Sequence, residues 1–452
     1  MKSYPRITVS DLSRQLDEGT ATPVSIVGQM IEQTEHTQPE LNAYITFAPE
    51  QALQEAARIT EDIRKNGRKS ALHGIPFAAK DLLFAKGLPA TAGSRQMKDF
   101  IPEEDGAAVA AMKRAGAVLM GKTNTQEWGC GPAGDQSYFG PVHNPWDTAR
   151  ISGGSSSGSA AAVAAGMVPC ALGSDAGGSI RIPAALCGIV GYKPSFGLVD
   201  GSGSFRGSLH LGCIGPMTNT VEDAAILMDA LTSDPGESFR RAVSECGDLH
   251  GKHFTVPENL FADCIQPGVA ATFWDCVRTL EAGGATVERT EIPFLAEIPT
   301  LSSAITFPEI AYLHAERLKA DPDGYQPFIR SRIEKGFTYS AVEYIEALEK
   351  RKEYIAKWNA LMQTTDAVLL PTVPITAYLL YQETMQIDGR PYNCSELLVR
   401  HTRAANVVGC PALSIPAGLA DGLPTGVMLM GGIMQDAPLL ALGALVERAQ
   451  KK

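Results

Sequence analysis

A long glycine-rich stretch, from Gly74 to Gly215, constrains the fold more than any other feature of this 452-residue chain. Within it, short apolar runs predict strands and helical spacing predicts helices, and the two alternate with few residues between them. The predicted strands cover 75–79, 117–120 and 167–172, and the predicted helices cover 106–114 and 157–165. Alternation of this kind is typical of an α/β fold, in which helices cover a β-sheet.

The later part of the chain continues this alternation, whereas about the first 65 residues predict helices only. Later strands are predicted at 253–256, 286–292, 367–370, 412–415 and 426–430, with helices through 274–280, over 341–362 and from about 437. No Pro/Gly/Ser linker, low-complexity tract or repeat of roughly 20–50 residues divides the sequence. We therefore predict one large α/β domain over 1–452, with a helical segment at about 1–66 packed onto it.

Composition and charge exclude several classes of protein. The chain is 44% hydrophobic and 20% charged, which is usual for a globular protein and unlike a disordered or fibrous one. Its net charge of -11 argues against direct nucleic-acid binding, because neutralising phosphates requires clustered lysine and arginine. The longest apolar run, 160–173, contains glycine and proline and is shorter than the ~18 residues that a membrane span needs.

The cysteines predict a reducing environment. All nine lie between Cys130 and Cys410 without a C-x-x-C pair, so neither a disulfide framework nor a thiolate metal site is expected. The first residues are followed by a polar stretch that lacks the apolar core of a signal peptide. Together these features predict a cytoplasmic protein.

Two short patterns imitate well-known sites but lack their structural context. The segment 129–134 reads G-x-G-x-x-G, yet a dinucleotide site needs a strand before it and a helix after it, and Pro132 interrupts the pattern. The segment 154–158 reads G-x-S-x-G, but a nucleophile elbow needs a buried strand that runs into the serine. Here a polar stretch broken by Pro145 precedes the serine instead. Both segments are predicted to be loops.

Three other segments form a more specific pattern when they are taken together. Lys80 ends the predicted strand at 75–79, a serine-rich loop follows at 152–159, and Ser179 lies within the glycine-rich segment 173–183. A lone lysine is usually a surface charge and a lone Ser/Gly run is usually a turn. The combination, however, is rarely met outside one group of enzymes.

With these segments the sequence resembles the amidase signature hydrolases over nearly its whole length. The matching stretches are Gly74–Asp81, Gly121–Glu127, Phe139–Trp146, Gly153–Ala165, Gly173–Pro194, Asn406–Gly418 and Gly422–Val427. The resemblance implies a large mixed, mostly parallel β-sheet covered by helices on both faces. It also implies a signature core at about 72–220, a variable substrate-pocket region at about 294–339, and chemistry that needs neither a cofactor nor a metal.

The same resemblance assigns the catalytic roles to an unusual Ser–Ser–Lys triad. Ser179 would be the nucleophile that becomes acylated, and Lys80 would be the base. Ser155 would be a bridging serine in a cis peptide that relays the proton between them. The acyl side of the substrate pocket would be lined by backbone atoms of Gly129, Cys130 and Gly131.

Elementary chemistry supports a lysine base at this position. A serine hydroxyl attacks an amide carbonyl only weakly unless a neighbouring base takes its proton. With no well-placed histidine, the base must be Lys80 in its neutral form, which costs an ordinary lysine about 4.6 kcal/mol at pH 7. Burial lowers a lysine pKa by up to ~3–5 units and recovers most of that cost. Strand alternation points Asp81 to the opposite face, where we expect it to bond elsewhere.

The segment 176–179 predicts an oxyanion hole. Its backbone N–H groups are almost free of obstructing side chains and suit a developing negative charge. These groups belong to Ala176, Gly177, Gly178 and Ser179. Hydrogen bonds from three further residues are expected to brace the loops, namely Ser156, Asp175 and Arg181.

The sequence therefore predicts an enzyme that hydrolyses a small linear carboxylic amide, with esters or carbamates as further substrates. Two alternatives stay open: a glutaminase-type component of a tRNA-dependent amidotransferase, and an inactive amidase-fold binding protein. A homodimer is one candidate assembly. Four aromatic residues suggest an apolar or aromatic substrate group, namely Phe205, Phe307, Tyr312 and Phe328.

Overall fold

Strands and helices alternate along the chain in the computed structural model, which describes residues 4–234, 236, 238–261 and 264–451. The helices are α1 (Val9–Asp17), α2 (Pro23–Leu41), α3 (Pro49–Asn66), α4 (Ala107–Arg114), α5 (Ser157–Ala164), α6 (Arg181–Cys187), α7 (Val221–Leu231), α8 (Ser238–Ser244), α9 (Pro267–Ala282), α10 (Ile298–Ala320), α11 (Pro327–Gly336), α12 (Ala341–Leu361), α13 (Cys394–Val399), α14 (Arg403–Val408) and α15 (Asp436–Gln450). The strands are β1 (Tyr44–Phe47), β2 (Pro76–Lys80), β3 (Val118–Thr123), β4 (Cys170–Asp175), β5 (Val190–Lys193), β6 (Cys213–Thr218), β7 (His253–Pro257), β8 (Thr286–Thr290), β9 (Ala367–Pro371), β10 (Thr384–Ile387), β11 (Arg390–Asn393), β12 (Ala412–Ala420) and β13 (Leu423–Met430). Within the described segments, every helix is too short or too polar to cross a membrane.

Eleven of these strands form one sheet, in the order β1-β3-β2-β4-β6-β5-β12-β13-β9-β7-β8, and β10 and β11 form a separate hairpin. β2 is parallel to both β3 and β4, and β7 is parallel to both β8 and β9. The other pairings in the large sheet are antiparallel. The prediction of a large mixed sheet is confirmed. Among the described strands, however, antiparallel pairings outnumber parallel ones, whereas the expectation was a mostly parallel sheet.

The antiparallel pairs lie mainly in the centre of the sheet, and one of them shows why the sequence pattern misses their direction. β12 and β13 are joined by a tight turn in which Asp421 and Gly422 have φ of 52° and 78°. Two consecutive positive φ angles are typical of the hairpin turn that connects neighbouring antiparallel strands. Apolar spacing predicts that a strand exists but carries no information about which way its neighbour runs.

Helices cover both faces of the sheet, as predicted. Phe77 and Ala79 of β2 pack into one core with residues of α4 and α7, whereas Ala78 packs into another core with residues of α2 and α5. Every position of β2 is buried. A strand in the interior of a sheet covered on both sides is expected to be apolar on both faces.

Two parts of the fold differ from the predicted elements. The first segment of the chain, predicted to be helical throughout, contains β1, which pairs with β3 at one edge of the sheet. The hairpin of β10 and β11 is mostly exposed, and its residues show no apolar alternation. Both elements consist of short strands, for which periodicity is a weak signal.

The sheet brings the segments of the predicted site together at one edge. β2 and β4 are parallel neighbours, and the carboxyl ends of parallel strands meet at the same edge of a sheet. Lys80 ends β2, and Asp175 ends β4. The loops that carry Ser155 and Ser179 lead into α5 and α6, which begin two residues later in each case.

A matched pair of glycines tests this packing. A Cβ atom at Gly158 in α5 would lie 2.2 Å from the carbonyl oxygen of Ala43 and 2.6 Å from the amide nitrogen of Asn124. Because backbone atoms cannot move aside cheaply, we expect Gly158→Ala to lower the free energy of unfolding by ~1–3 kcal/mol or more. At Gly28 in α2 nothing lies within 4 Å of an added Cβ. We therefore expect Gly28→Ala to raise the free energy of unfolding by about 0.5–1 kcal/mol. Denaturant-induced unfolding measures the free energy of unfolding of each variant. Equal stability of the two variants would contradict the close backbone packing around Gly158.

Candidate active site

Lys80 is completely buried at the carboxyl end of β2. Its Nζ atom lies 2.7 Å from Ser155 Oγ and 2.9 Å from Ser174 Oγ. Burial lowers the pKa of Lys80 to about 7, against the opposing influence of Asp175 and Cys130. Because burial disfavours the charged form of an amine, this side chain is suited to accept a proton near neutral pH.

Asp81, the neighbour of Lys80 in sequence, points away from the site. Its Oδ1 atom accepts a hydrogen bond of 2.9 Å from Lys122 Nζ, and both side chains are fully buried. Its Oδ2 atom accepts hydrogen bonds from the backbone N–H and the hydroxyl of Thr91. The expectation that Asp81 bonds elsewhere is confirmed, and its charge is balanced by a different lysine.

The peptide bond between Gly154 and Ser155 is cis, as the resemblance implies. The Ser155 carbonyl accepts hydrogen bonds from the hydroxyl of Thr125 at 2.8 Å and from the backbone N–H of Gln126 at 3.2 Å. These two bonds hold the backbone of Ser155 while its hydroxyl contacts Lys80.

Ser179 lies two residues before α6 and lines a cavity that Ser155 also lines. Its carbonyl accepts a hydrogen bond of 3.1 Å from the backbone N–H of Ser156. Its side chain is half-buried, and its hydroxyl has no hydrogen-bond partner among the residues that the structure describes. The structure thus brings the three predicted triad residues to one place, with the Lys80–Ser155 hydrogen bond formed and no hydrogen bond between Ser155 and Ser179.

The predicted oxyanion hole has three available backbone donors rather than four. The N–H of Gly178 donates to Asp175 Oδ1 at 2.8 Å and is therefore already engaged. The N–H groups of Ala176, Gly177 and Ser179 meet no acceptor within the described part of the chain, and these three residues line cavities. The prediction that Gly178 supplies a donor to the oxyanion hole is therefore wrong. The sequence shows that this residue has a backbone N–H but not that the Asp175 side chain accepts its hydrogen bond.

Only glycine fits at position 178. Its φ is 126°, and an added Cβ atom would lie 2.3 Å from the hydroxyl oxygen of Thr402. That hydroxyl donates a hydrogen bond of 2.6 Å to the carbonyl of Gly177. Thr402 therefore holds the loop at the Gly177 carbonyl, a contact that no local sequence signal indicates.

A fully buried ion pair between Asp175 and Arg181 lies beneath this loop. Two guanidinium nitrogens of Arg181 donate to the two carboxylate oxygens of Asp175, at 3.0 and 2.9 Å. Asn406 donates a further hydrogen bond of 2.9 Å to the same carboxylate. Burial opposes the charge of Asp175, but the guanidinium and these hydrogen bonds outweigh it and hold the pKa of Asp175 well below its usual range. This geometry matches the bracing arrangement expected for the two charged residues.

Ser156 and Ser174 connect the serine-rich loop to the end of β4. The hydroxyl of Ser156 donates to the carbonyl of Ser174 and accepts from its backbone N–H, both at 3.2 Å. Ser174 also contacts Lys80 directly, and the sequence analysis does not single it out. Its position at the end of a predicted strand beside the one that carries Lys80 is the signal that would have found it.

Two adjoining cavities, of about 190 and 70 Å³, meet at Ser179. Both are lined by Gly129, Ala176, Ser179 and Gly207. The first chamber, as we name it, is further lined by Val199, Phe205, Ser208, Leu209, Cys213 and Ile214. The second chamber is further lined by Cys130, Gly131, Ser302, Thr306, Phe307, Arg332 and Arg403. The three residues predicted for the acyl pocket therefore all face these cavities.

Of the four aromatic residues predicted to line a substrate pocket, two line the chambers and two do not. Phe205 lines the first chamber and Phe307 lines the second. The side chain of Tyr312 is 74% exposed and Phe328 lines a separate cavity, so the expected participation of these two residues is wrong. Helix α10 turns Tyr312 to solvent, an orientation that composition alone does not reveal.

Comparison with known proteins agrees with this geometry. The amidase family model matches residues 25–440. The chain belongs to the amidase family. It is accordingly an enzyme, a hydrolase that acts on the C–N bonds of amides.

Individual relatives of this amidase resemble it over almost its whole length. One of the glutamyl-tRNA(Gln) amidotransferase subunits, from an Exiguobacterium species, is 33% identical over 98% of this chain and 97% of its own. A crystal structure described as that of an amidase superposes with a TM-score of 0.92 at 31% identity, covering 98% of this chain and 99% of the other. A structure from a study of a vestigial protein complex and the origins of an s-triazine catabolic enzyme has a TM-score of 0.91 at 30% identity, covering 98% of each. These neighbours establish the amidase signature fold.

Two arginines give the second chamber of this amidase a positive charge. Arg332 is half-buried, and its Nε atom is shielded from solvent without a hydrogen-bond partner in the segments that the structure describes. Its guanidinium lies 5.0 Å from the ring centre of Phe307 and 5.6 Å from that of Phe328, and burial lowers its pKa. Arg403 is 9% exposed and lies 3.5 Å from Glu396, whose own side chain is 61% exposed. Sheltered guanidinium groups with so little compensation are typical of a site that receives an anion.

Proposed function

We propose that this amidase hydrolyses a small linear amide that carries a carboxylate, through an acyl-enzyme on Ser179. The observation that carries the proposal is the buried amine of Lys80, 2.7 Å from the hydroxyl of Ser155, at a cavity lined by Ser179. A buried amine that contacts hydroxyls and no carboxylate is suited to be a base rather than an ion-pair partner. Such a base makes a serine hydroxyl nucleophilic.

In the proposed reaction the proton of Ser179 moves to Lys80 by way of Ser155. The freed oxygen of Ser179 attacks the amide carbonyl carbon, and a tetrahedral oxyanion forms. The backbone N–H groups of Ala176, Gly177 and Ser179 stabilise this charge, and each such donor contributes roughly 2.7–4 kcal/mol in known cases. The same relay then gives the proton to the leaving nitrogen, the C–N bond breaks, and ammonia or an amine departs.

Water hydrolyses the acyl-enzyme in the second half of the cycle. A water molecule attacks the acyl carbonyl and gives its proton to the relay of Ser155 and Lys80. The bond to Ser179 breaks, its oxygen recovers a proton, and the carboxylic acid leaves. The cycle uses only protein groups and water, so we propose no cofactor and no metal.

The lowered pKa of Lys80 supports this role in energetic terms. An ordinary lysine pays about 4.6 kcal/mol to be neutral at pH 7. With a pKa of about 7, close to half of the molecules carry the neutral amine at that pH. Burial therefore removes most of the penalty before the substrate arrives.

The charge of the second chamber supports the substrate class. Arg332 and Arg403 lie on the side of Ser179 where part of the substrate must bind, and a guanidinium pairs with a carboxylate through two parallel hydrogen bonds. The modest size of both chambers supports a small substrate. The apolar group suggested by the aromatic residues has support only in the first chamber, through Phe205.

One alternative has a specific observation in its favour. A relative at 33% identity is named as one of the subunits of glutamyl-tRNA(Gln) amidotransferase, and glutamine carries an amide and a carboxylate on one small molecule. Glutamine hydrolysis together with co-purification of a partner protein would favour the glutaminase-type role.

The presence of Lys80, Ser155 and Ser179 weighs against an inactive binding protein. A homodimer and a cytoplasmic location stay predictions.

Replacing the nucleophile tests the proposed mechanism. We expect Ser179→Ala to lose amide turnover and covalent labelling by a small alkyl fluorophosphonate, because no oxygen remains to be acylated or phosphonylated. Ser303→Ala, which alters another serine that lines the second chamber, is the matched control and should keep the labelling. Intact-protein mass spectrometry follows the label, and a labelled Ser179→Ala protein would mean that another residue is the nucleophile.

Neutralising one arginine tests the proposed substrate class. Arg332→Met should raise the KM for succinamate, the monoamide of succinate, by about 10–100-fold because a charge-assisted hydrogen bond to the carboxylate is lost. Hydrolysis of butyramide, which lacks the carboxylate, should change by less than about threefold. Arg330→Met is the matched control, since Arg330 pairs on the surface with Asp323 and Glu334. Equal effects on the two amides would contradict an anion site in the second chamber.

A further inference from the structure

We propose that Glu309 is a positioning residue whose carboxylate fixes residues 207–210, a loop segment that lines the first chamber and reaches the second at Gly207 and that we call the wall. This inference rests on the proposed amide hydrolysis. Gly207 lines both chambers beside Ser179, and the next two residues of the loop line the first chamber. The position of this wall therefore sets the space that a substrate finds next to the nucleophile.

Glu309 is only 2% exposed, and four polar groups of other residues contact its buried carboxylate. One oxygen accepts hydrogen bonds from the hydroxyl of Ser208 and from the backbone N–H of Leu209, the latter at 2.8 Å. The other oxygen lies 2.6 Å from Nδ1 of His210 and accepts a hydrogen bond of 3.1 Å from the hydroxyl of Tyr344. Three consecutive residues of the wall are thus anchored on one side chain.

The preceding half of the same loop is held in a different way. The backbone N–H of Phe205 donates to the carbonyl of Leu82 at 2.9 Å, and the Phe205 ring packs 5.3 Å from that of Trp128. By contrast, in the described part of the chain no backbone–backbone hydrogen bond holds residues 207–210. Side-chain contacts hold them instead: Glu309 contacts three of the four residues, the Leu211 N–H donates to the Ser208 hydroxyl at 3.2 Å, and the Tyr344 hydroxyl lies 3.4 Å from His210 Nδ1.

Glu309 also couples the two chambers. It lies on α10, and other residues of that helix, among them Thr306 and Phe307, line the second chamber. The carboxylate therefore ties the wall of the first chamber to a helix of the second and keeps their separation constant. A buried carboxylate is costly unless it is hydrogen-bonded, so the contacts from the loop and from Tyr344 on α12 stabilise one arrangement.

The main test replaces this carboxylate by an amide of nearly the same shape. In Glu309→Gln an NH₂ group replaces one accepting oxygen, so the wall loses part of its anchoring while Lys80, Ser155 and Ser179 stay intact. We expect the KM for succinamate to rise by about tenfold and kcat to change by less than about threefold, the pattern of lost substrate positioning. Labelling of Ser179 by the alkyl fluorophosphonate should keep its rate, because the small probe needs the nucleophile and not the wall.

A milder pair of variants keeps the test decisive if Glu309→Gln does not fold. Ser208→Ala removes the hydroxyl that donates to Glu309 and accepts from the Leu211 N–H, and Tyr344→Phe removes the hydroxyl on α12 that donates to Glu309 and lies 3.4 Å from His210 Nδ1. Ser208→Ala should raise the KM for succinamate by about threefold, whereas Tyr344→Phe, which leaves the bonds from Ser208 and Leu209 to the carboxylate intact, should raise it by less. Thermal melting confirms that each variant is folded.

Three results would overturn the inference: an unchanged KM in Ser208→Ala, equal KM effects of Ser208→Ala and Tyr344→Phe, or a loss of labelling in Glu309→Gln that parallels its loss of turnover. The last would show a general structural role. Wild-type protein that neither hydrolyses succinamate nor takes up the probe would contradict the proposed function instead, so the two failures are distinguishable.

Discussion

The site depends on the burial of one amine among hydroxyl groups and away from free carboxylates. Lys80 contacts Ser155 and Ser174, while the carboxylate next to it in sequence is turned to the other side of β2 and paired with Lys122. An unpaired Asp81 would favour the charged form of Lys80 and leave the amine less able to accept a proton. Strand alternation and one buried ion pair therefore keep the amine able to accept a proton.

A second buried ion pair lies close to the site. Asp175 is balanced by Arg181, and their pair holds the loop that presents the backbone donors to the cavity. In the second chamber, by contrast, the guanidinium groups of Arg332 and Arg403 have little compensation. These two under-compensated guanidinium groups are the basis of our proposal that the substrate carries a carboxylate.

The sequence predicts the residues of the site better than their contacts. Lys80, Ser155 and Ser179 are found because each lies in a distinctive local segment, and the strand that carries Lys80 ends one residue from where apolar spacing places it. The contacts of Thr402 and Asn406 with the loop join residues more than 200 positions apart, and no local pattern encodes such neighbours. The exposure of Tyr312 escapes prediction for the same reason, whereas the cap on the Gly178 N–H is a local contact with Asp175 whose geometry the residue types alone do not reveal.

The central claim is that close to half of the Lys80 side chains are neutral near pH 7, and NMR titration of lysine side chains in isotope-labelled protein tests it most directly. The Lys80 signal is identified by its absence from the Lys80→Met variant. The account predicts a titration midpoint of about 7, because burial destabilises the ammonium form. A midpoint near the ordinary value of 10.5 would show a charged lysine at neutral pH and would contradict its role as the base.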